Sequence, residues 1–285
     1  MDLFKDILKG AIIGVANIIP GVSGGTMAVS MGIYDLLISS ITGIVKNFKK
    51  SIRVLAPIIL GAAIGIIALS YVITPSLERY PLQTSCLFIG LILGGLPILT
   101  KHVKGVKVKP SHIIAFILLF VLVIAMAFIK GAESGVTDIT VDLGAMLTLF
   151  FIGMVASATM IIPGVSGSMV MMILGFYNII ITNIKAFIDA LFSFDLPALI
   201  HGFGIFIPFG IGVLIGIGIV AKMIELLFAK QPTLTYCGIL GLVIASPIAI
   251  LYNIGLSSVN VISVLVSIIT FAIGFAIASL LGKEE

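Results

Sequence analysis

The sequence carries little charge for its length. Only 10% of its 285 residues are charged, whereas 60% are hydrophobic and the mean hydropathy is +1.32. Soluble domains have about a quarter charged residues, and so few charges would not cover the surface of a soluble fold of this size. The composition therefore excludes a water-soluble globular protein and indicates a polytopic helical membrane protein.

Cysteine is also scarce, and the first residues do not resemble a leader peptide. The two cysteines, Cys86 and Cys237, lie in apolar surroundings and indicate neither a disulfide framework nor a metal site. The first residues include Asp2 and Asp6 and show no small-residue cleavage signature, so we expect no removable signal peptide. We also expect no metal, no organic cofactor and no nucleic-acid partner.

Long apolar runs are what the sequence does have. Six of them are close to the length that a helix needs to cross a bilayer, about 20 residues. They cover residues 54–74, 82–100, 111–129, 199–221, 234–252 and 259–281.

Two further apolar stretches, 7–45 and 144–184, are interrupted by the same motif. Ile-Ile-Pro-Gly-Val-Ser-Gly occupies residues 18–24 in the first stretch and 161–167 in the second. A Pro-Gly pair ends a helix, and the arm before Pro20 has only about 13 apolar residues, or about 20 Å of helix. Because that arm is too short to cross, we predict two re-entrant hairpins that turn at the motif, with the turn buried in protein or lining a wet cavity.

The basic residues predict an orientation, since Lys and Arg concentrate in cytoplasmic loops. With the N-terminus inside, all of the 16 Lys and Arg residues except Arg79, Lys130 and Lys185 fall on the cytoplasmic side. We therefore expect both termini in the cytoplasm. The three exceptions would attract a negative head group or serve as ordinary interfacial residues.

The chain contains two copies of one unit, at 1–130 and 140–285. Besides the motif, Gly32 and Tyr34 recur as Gly175 and Tyr177. Later positions of the first copy also match: Pro57, Gly61, Gly65, Pro81, Thr84, Cys86, Gly90 and Leu91 correspond to Pro208, Gly212, Gly216, Pro232, Thr235, Cys237, Gly241 and Leu242.

The duplication predicts the architecture. Each copy holds one hairpin (7–45 or 144–184) and three spans, an odd number of crossings, so the second copy would be inverted relative to the first. Inverted repeats with broken helices are typical of secondary transporters, whose substrate site lies near the midplane. The predicted fold is thus an all-α polytopic membrane protein of two inverted repeats, each a re-entrant helical hairpin plus three transmembrane helices.

Each hairpin tip would place polar groups at a helix N-terminus inside the membrane. Backbone N–H groups, hydroxyls and glycines that allow close approach form an anion site. A turn with no ligand is the alternative, but both copies keep their hydroxyls, which favours binding of one anion by two tips. The residues predicted to bind are Asn17, Pro20, Gly21, Ser23, Gly24, Gly25, Thr26, Pro163, Gly164, Ser166, Gly167, Ser168, Tyr34 and Tyr177, with packing as the alternative for the tyrosines.

Asp35 lies inside the second arm of the first hairpin and has Asn178 as its counterpart. Acids within a membrane are costly and functional by default. Asp35 is therefore a candidate for coupling transport to H+ or Na+. Alternatively, it lies near the cytoplasmic exit and is solvated.

Structural roles are predicted for several other residues. Gly61-xxx-Gly65 and Gly212-xxx-Gly216 indicate close helix packing. Lys222 and Glu225 predict an interfacial ion pair. The three histidines, at the ends of spans, are expected to be solvated: His102, His112 and His201.

The motif residues resemble those of a known family. Residues 16–26, followed by Gly32-Ile33-Tyr34-Asp35, resemble the first motif of the polyprenyl-phosphate transporter family of the PopT type, formerly a membrane domain of unknown function. Residues 162–168 with 175–177 look like its second motif, and the resemblance covers the whole chain. It implies a non-enzymatic bacterial plasma-membrane protein that returns undecaprenyl phosphate, the lipid carrier of cell-wall sugars, from the outer to the inner leaflet. This sequence has Asn17 where members often have Asp.

Two other functions stay open at the level of sequence. The same anion cradle would suit a transporter or channel for a small anion. Residues 21–24 also satisfy the Gly-x-Ser-Gly pattern of rhomboid-type intramembrane serine proteases. A nucleophilic serine needs a base within reach, and no histidine lies in the middle of any predicted span, so a hydrolase is the remote alternative.

Overall fold

A computed structural model describes residues 3–18, 22–129, 139–254 and 260–282, and the regular elements within these ranges are helical. Helix-forming apolar runs separated by Pro, Gly and short polar loops account for this pattern. The first copy contains α1 (Leu3–Ile18), α2 (Gly24–Ser30), α3 (Tyr34–Thr42), α4 (Phe48–Ile64), a π-helical segment (Gly65–Leu69), α5 (Ser70–Arg79), α6 (Pro81–Gly94), α7 (Leu96–Lys101) and α8 (Pro110–Phe128). The second contains α9 (Leu143–Ile161), α10 (Gly167–Ile173), α11 (Tyr177–Ser193), α12 (Leu196–Lys230), α13 (Pro232–Ile254) and α14 (Val261–Leu281).

The predicted spans coincide with helices. Within the described ranges, seven helices are long and apolar enough to cross a membrane, and two further pairs of bent helices pass the same test together. The molecule is therefore a multi-pass, all-helical membrane protein, as the composition predicts. The span predicted at 54–74 is built from α4, the π-helical segment and α5, and the span at 82–100 from α6 and α7.

The hairpins contain three helices each, where the sequence predicts two arms. The second arm is broken: α2 and α3 meet at 117°, and α10 and α11 meet at 110°. Gly32 and Gly175 lie at the two breaks with φ of +69° and +79°, a conformation that glycine adopts without steric cost. The break recurs in both copies, in agreement with the duplication.

The first arms differ in length between the copies. Helix α1 has 16 residues, whereas α9 has 19 and is long enough by itself to cross a membrane. A short first arm therefore describes the first copy and not the second. Re-entry of the two hairpins and inversion of the repeats stay predictions.

By its internal contacts the chain divides into two compact units. The first comprises Met1–Phe128, Ile162–Ser166 and Ala221–Glu285, and the second comprises Ile129–Ile161 and Gly167–Val220. This division differs from the duplicated copies, because the second hairpin's tip and the C-terminal helices pack with the first copy. Each unit has its own apolar core, around Val123 and Leu242 in the first and around Leu149 and Ile205 in the second.

Small residues allow the helices to approach closely, as predicted for the two Gly-xxx-Gly pairs. In the first unit Gly61 lies against the Ile7 carbonyl, and Gly65 lies against the Ala11 carbonyl. In the second unit Gly212 lies against the Phe150 carbonyl. A side chain at these positions would collide with a neighbouring backbone, so close packing of α1 on α4 and of α9 on α12 depends on glycine.

The ion pair predicted on α12 is confirmed, because Lys222 Nζ lies 2.6 Å from Glu225 Oε2. The expectation that all three histidines are solvated is wrong for His112. That side chain is 9% exposed, and its Nδ1 accepts a hydrogen bond from the Lys109 N–H at 3.3 Å. The ring thereby satisfies a backbone donor at the start of α8, which offsets its burial.

Candidate functional site

The first tip is shaped by a side chain that caps a helix. Ser23 is extended, with φ of −112° and ψ of 132°, and α2 begins at the next residue. Asn17, near the end of α1, accepts the Gly24 N–H through Oδ1 at 3.2 Å. The amide of Asn17 thus joins the end of α1 to the start of α2 and satisfies one of the N–H groups that any helix start leaves without an internal acceptor.

The second tip, residues 162–166, is a partly buried turn. Gly164 has a φ of +79°, and a Cβ there would lie 2.9 Å from the Leu242 carbonyl oxygen. Pro163, Val165 and Ser166 are buried as well. The glycine is required both by the left-handed backbone and by the close approach of α13.

The two tips meet in the first unit. The Gly164 N–H donates to Thr26 Oγ1 at 2.6 Å, and the Ser23 hydroxyl donates to the Ile162 carbonyl at 3.4 Å. Thr26 is fully buried and Ser23 is 3% exposed. Two copies of the motif, far apart in sequence, are therefore joined by hydrogen bonds between the hydroxyls of one and the backbone of the other.

The remaining predicted residues fall in several places. Gly24 and Gly25 are buried in the first turn of α2. In the second unit Gly167 and Ser168 begin α10, and Tyr177 begins α11. Pro20 and Gly21 lie outside the described residues, as does Lys130 among the predicted outer-side cations.

Tyr34 and Asp35 belong to a different place from the tips. They begin α3, and α2, about 10 Å long, separates them from the first tip. Both line a cavity of about 1060 Å³ in the first unit. Tyr34 is buried, whereas Asp35 is exposed.

Asp35 nevertheless has a specific partner. The Tyr236 hydroxyl donates to Asp35 Oδ2 at 2.6 Å. The His102 ring stacks on Tyr236 at a centroid distance of 4.1 Å and an interplanar angle of 6°, and Phe228 meets the same ring edge-on at 5.1 Å. His102 is exposed, as expected, and it is also part of this side-chain cluster.

Sequence reasoning missed Tyr236, Phe228 and Lys101 as neighbours of Asp35. Tyr236 and Phe228 are aromatic residues in or beside apolar runs, where packing is the ordinary interpretation. Lys101 has the sequence pattern of an ordinary loop cation. No local pattern could have joined them to Asp35, because they come from three separate helices or helix ends.

Comparisons with known proteins agree with the resemblance of the motifs. Residues 13–207 match the family described as undecaprenyl phosphate translocase-like. The chain is 30% identical over 288 residues, covering 99% of this chain and 98% of the relative, to a polyprenyl-phosphate transporter of Staphylococcus aureus (strain NCTC 8325 / PS 47). It is 28% identical over 209 residues, 68% of this chain and 65% of the relative, to a polyprenyl-phosphate transporter of Vibrio cholerae serotype O1. No solved structure matches. On the extent of the family match and the full-length identity, the chain belongs to the undecaprenyl phosphate translocase-like family.

Proposed function

We propose that this protein transports polyprenyl phosphate, specifically undecaprenyl phosphate, from the outer to the inner leaflet of the bacterial plasma membrane, where the carrier lipid is used again for cell-wall precursors. The full-length similarity to a polyprenyl-phosphate transporter supports the substrate class. The distribution of Lys and Arg supports cytoplasmic termini. Transport of this lipid is not an enzymatic reaction, so the protein acts as a lipid transporter.

The observation that carries the proposal is the meeting of the two tips. A lipid phosphate can leave its tail in the bilayer, but its head must cross a region where an unpaired charge is prohibitively costly. The hydroxyls of Ser23 and Thr26 and the backbone N–H of Gly164 are hydrogen-bond donors in a region that holds few charges. The head group would be held there mainly by neutral donors.

The lengths of the tip bonds suggest how a head group would enter. The Ser23 bond to the Ile162 carbonyl is 3.4 Å, longer than the usual O–H···O range. A phosphate oxygen is a charged acceptor and forms shorter, stronger bonds. Ser23 would therefore exchange the carbonyl for phosphate. Thr26 accepts from Gly164 through its hydroxyl oxygen, and a hydroxyl that accepts one bond can still donate its own hydrogen.

For coupling, we propose that Asp35 binds H+ or Na+. Asp35 lines the cavity, and its carboxylate accepts from Tyr236, so gain of a proton or cation would change that bond. Asp35→Asn is expected to abolish any dependence of transport on the ion gradient while substrate still binds. Unchanged ion dependence in this variant would reject the coupling role.

Lipid redistribution in liposomes tests the function. Purified protein is reconstituted with undecaprenyl phosphate in one leaflet, and the phosphate accessible from outside is followed with time. Ser23→Ala combined with Ser166→Ala should abolish redistribution, whereas Ser193→Ala, which removes an exposed hydroxyl bonded to its own helix, should not. Full activity of the double variant would reject the tip site. Anion flux without lipid movement would favour the small-anion alternative.

A further inference from the structure

The cavity beside Asp35 is lined by both apolar and polar side chains. Its volume is about 1060 Å³, the size of a pocket for a small amphipathic molecule. Apolar side chains such as Leu36, Ile98 and Phe228 form part of the wall. Lys101, His102 and the Tyr236 hydroxyl form another part. A lining with hydrogen-bond donors, a lysine among them, and with apolar surface fits a ligand that has an anionic head and an apolar tail.

Tyr236 is a donor whose position is set in advance. Its ring is 9% exposed and is held by stacking against His102 and by the edge contact with Phe228. Its hydroxyl already binds an anionic oxygen, Asp35 Oδ2, at 2.6 Å. The carboxylate thus stands where an oxygen of another anion would bind, and such an anion would have to displace it.

The charges of the cavity occur in one copy of the duplication only. Lys101 and His102 end α7, at the start of a loop, 101–109, that also carries Lys104, Lys107 and Lys109. In the aligned duplicate the four polar residues change: Asp35, Lys101, His102 and Tyr236 correspond to Asn178, Tyr252, Asn253 and Ser85. The chain therefore has one such cluster, next to its lysine-rich loop, whereas the tip motif is present twice.

We propose that this cavity is a second phosphate-binding site, distinct from the tips, which holds the head group when it is on the side of loop 101–109. The phosphate replaces Asp35 at the Tyr236 hydroxyl, Lys101 balances its charge, His102 offers a ring N–H donor, and the apolar wall contacts the first isoprene units. This proposal rests on the proposed transport of a lipid phosphate. Free inorganic phosphate has the same head-group chemistry, and the experiment separates the two sources.

The sequence contains no tryptophan, which allows a clean fluorescence assay. Phe228→Trp places a single indole in the cavity wall, and the full-length protein in lipid nanodiscs is titrated with farnesyl phosphate, inorganic phosphate and farnesol. We expect a saturable change with farnesyl phosphate and none with farnesol. Tyr236→Phe and Lys101→Gln should each weaken binding at least about tenfold, the lower limit expected for losing a bond to a charged group. Asp35→Asn should tighten the binding of farnesyl phosphate.

Lys104→Gln serves as the matched control, since Lys104 belongs to the same loop but does not line the cavity. The affinity of this variant for farnesyl phosphate should be unchanged. Thermal stabilisation of the protein without the tryptophan by the same three compounds provides a second readout. It keeps the test valid if Phe228→Trp disturbs folding.

The outcomes are separable. A response to farnesyl phosphate alone assigns the site to the lipid, and an equal response to inorganic phosphate supports the phosphate site with the free anion as its ligand. Equal binding of farnesol, or unchanged affinity in both Tyr236→Phe and Lys101→Gln, overturns the proposal. Ser23→Ala with Ser166→Ala should lose transport but keep cavity binding, so failure of the transport proposal would be seen independently.

Discussion

The hydrogen bond between the tips provides the sharpest test of the site. Thr26→Val keeps the shape of a fully buried side chain but removes the oxygen that accepts the Gly164 N–H at 2.6 Å. A buried donor left without an acceptor costs about 1–3 kcal/mol, and hydrogen bonds between membrane helices average about 0.6 kcal/mol with a maximum of about 1.7 kcal/mol. Because this bond is short and shielded, we expect a loss of about 1–2 kcal/mol.

The free energy of unfolding is measured by SDS titration in mixed micelles, followed by circular dichroism, together with the liposome assay. A loss of this size corresponds to about a 5- to 30-fold change in the folding equilibrium. We expect the initial rate of lipid redistribution to fall by at least about fivefold, since the tip contact positions the proposed donors. Thr26→Ser, which keeps the oxygen, should retain most of the stability and most of the initial rate of lipid redistribution.

Thr148→Val is the matched control, because it makes the same chemical change at an exposed hydroxyl bonded to its own helix. Its stability should change by no more than about 0.5 kcal/mol. If Thr26→Val and Thr148→Val behave alike in stability and in transport, the tip contact has no role in either. Lower stability with unchanged transport would restrict Thr26 to a structural role.

Three further predictions concern backbone geometry and capping. Gly164→Ala should destabilise the protein by about 1–3 kcal/mol, because alanine would be strained at a φ of +79° and its Cβ would approach the Leu242 carbonyl. Gly210→Ala, in an open part of α12, should instead be neutral or stabilise the protein by up to about 1 kcal/mol. A stability change of the same sign for both variants in SDS titrations would contradict this reasoning. Gly61→Val should separate α1 from α4, seen as a large loss of thermal stability in detergent, and a melting temperature equal to that of Gly210→Ala would be evidence against backbone contact there. Asn17→Asp should preserve the cap on Gly24, because a carboxylate also accepts a hydrogen bond from an N–H group. A melting temperature well below that of the original protein would show that the amide has another role.

Composition and local pattern determined the class of the protein and the positions of its elements. The shortage of charge along runs such as 111–129 and 234–252 leaves a membrane as the only suitable solvent, and helices at these positions follow because backbone groups in lipid must bond internally. The Pro-Gly-Val-Ser-Gly motif likewise predicts a helix break, since proline and glycine act on their own few residues. Such features are local, and sequence suffices to find them.

Tertiary structure decided which residues share a site. The bonds of Thr26 to Gly164 and of Ser23 to Ile162 join segments far apart in the chain, and no periodicity specifies which donor meets which acceptor. The motif predicts Tyr34 at the tips, but the break at Gly32 turns α3 away from α2 by 117° and places Tyr34 with Tyr236 and His102. Helix packing sets these pairings through contacts between distant segments, which is why the motif could be identified from sequence while the cavity could not.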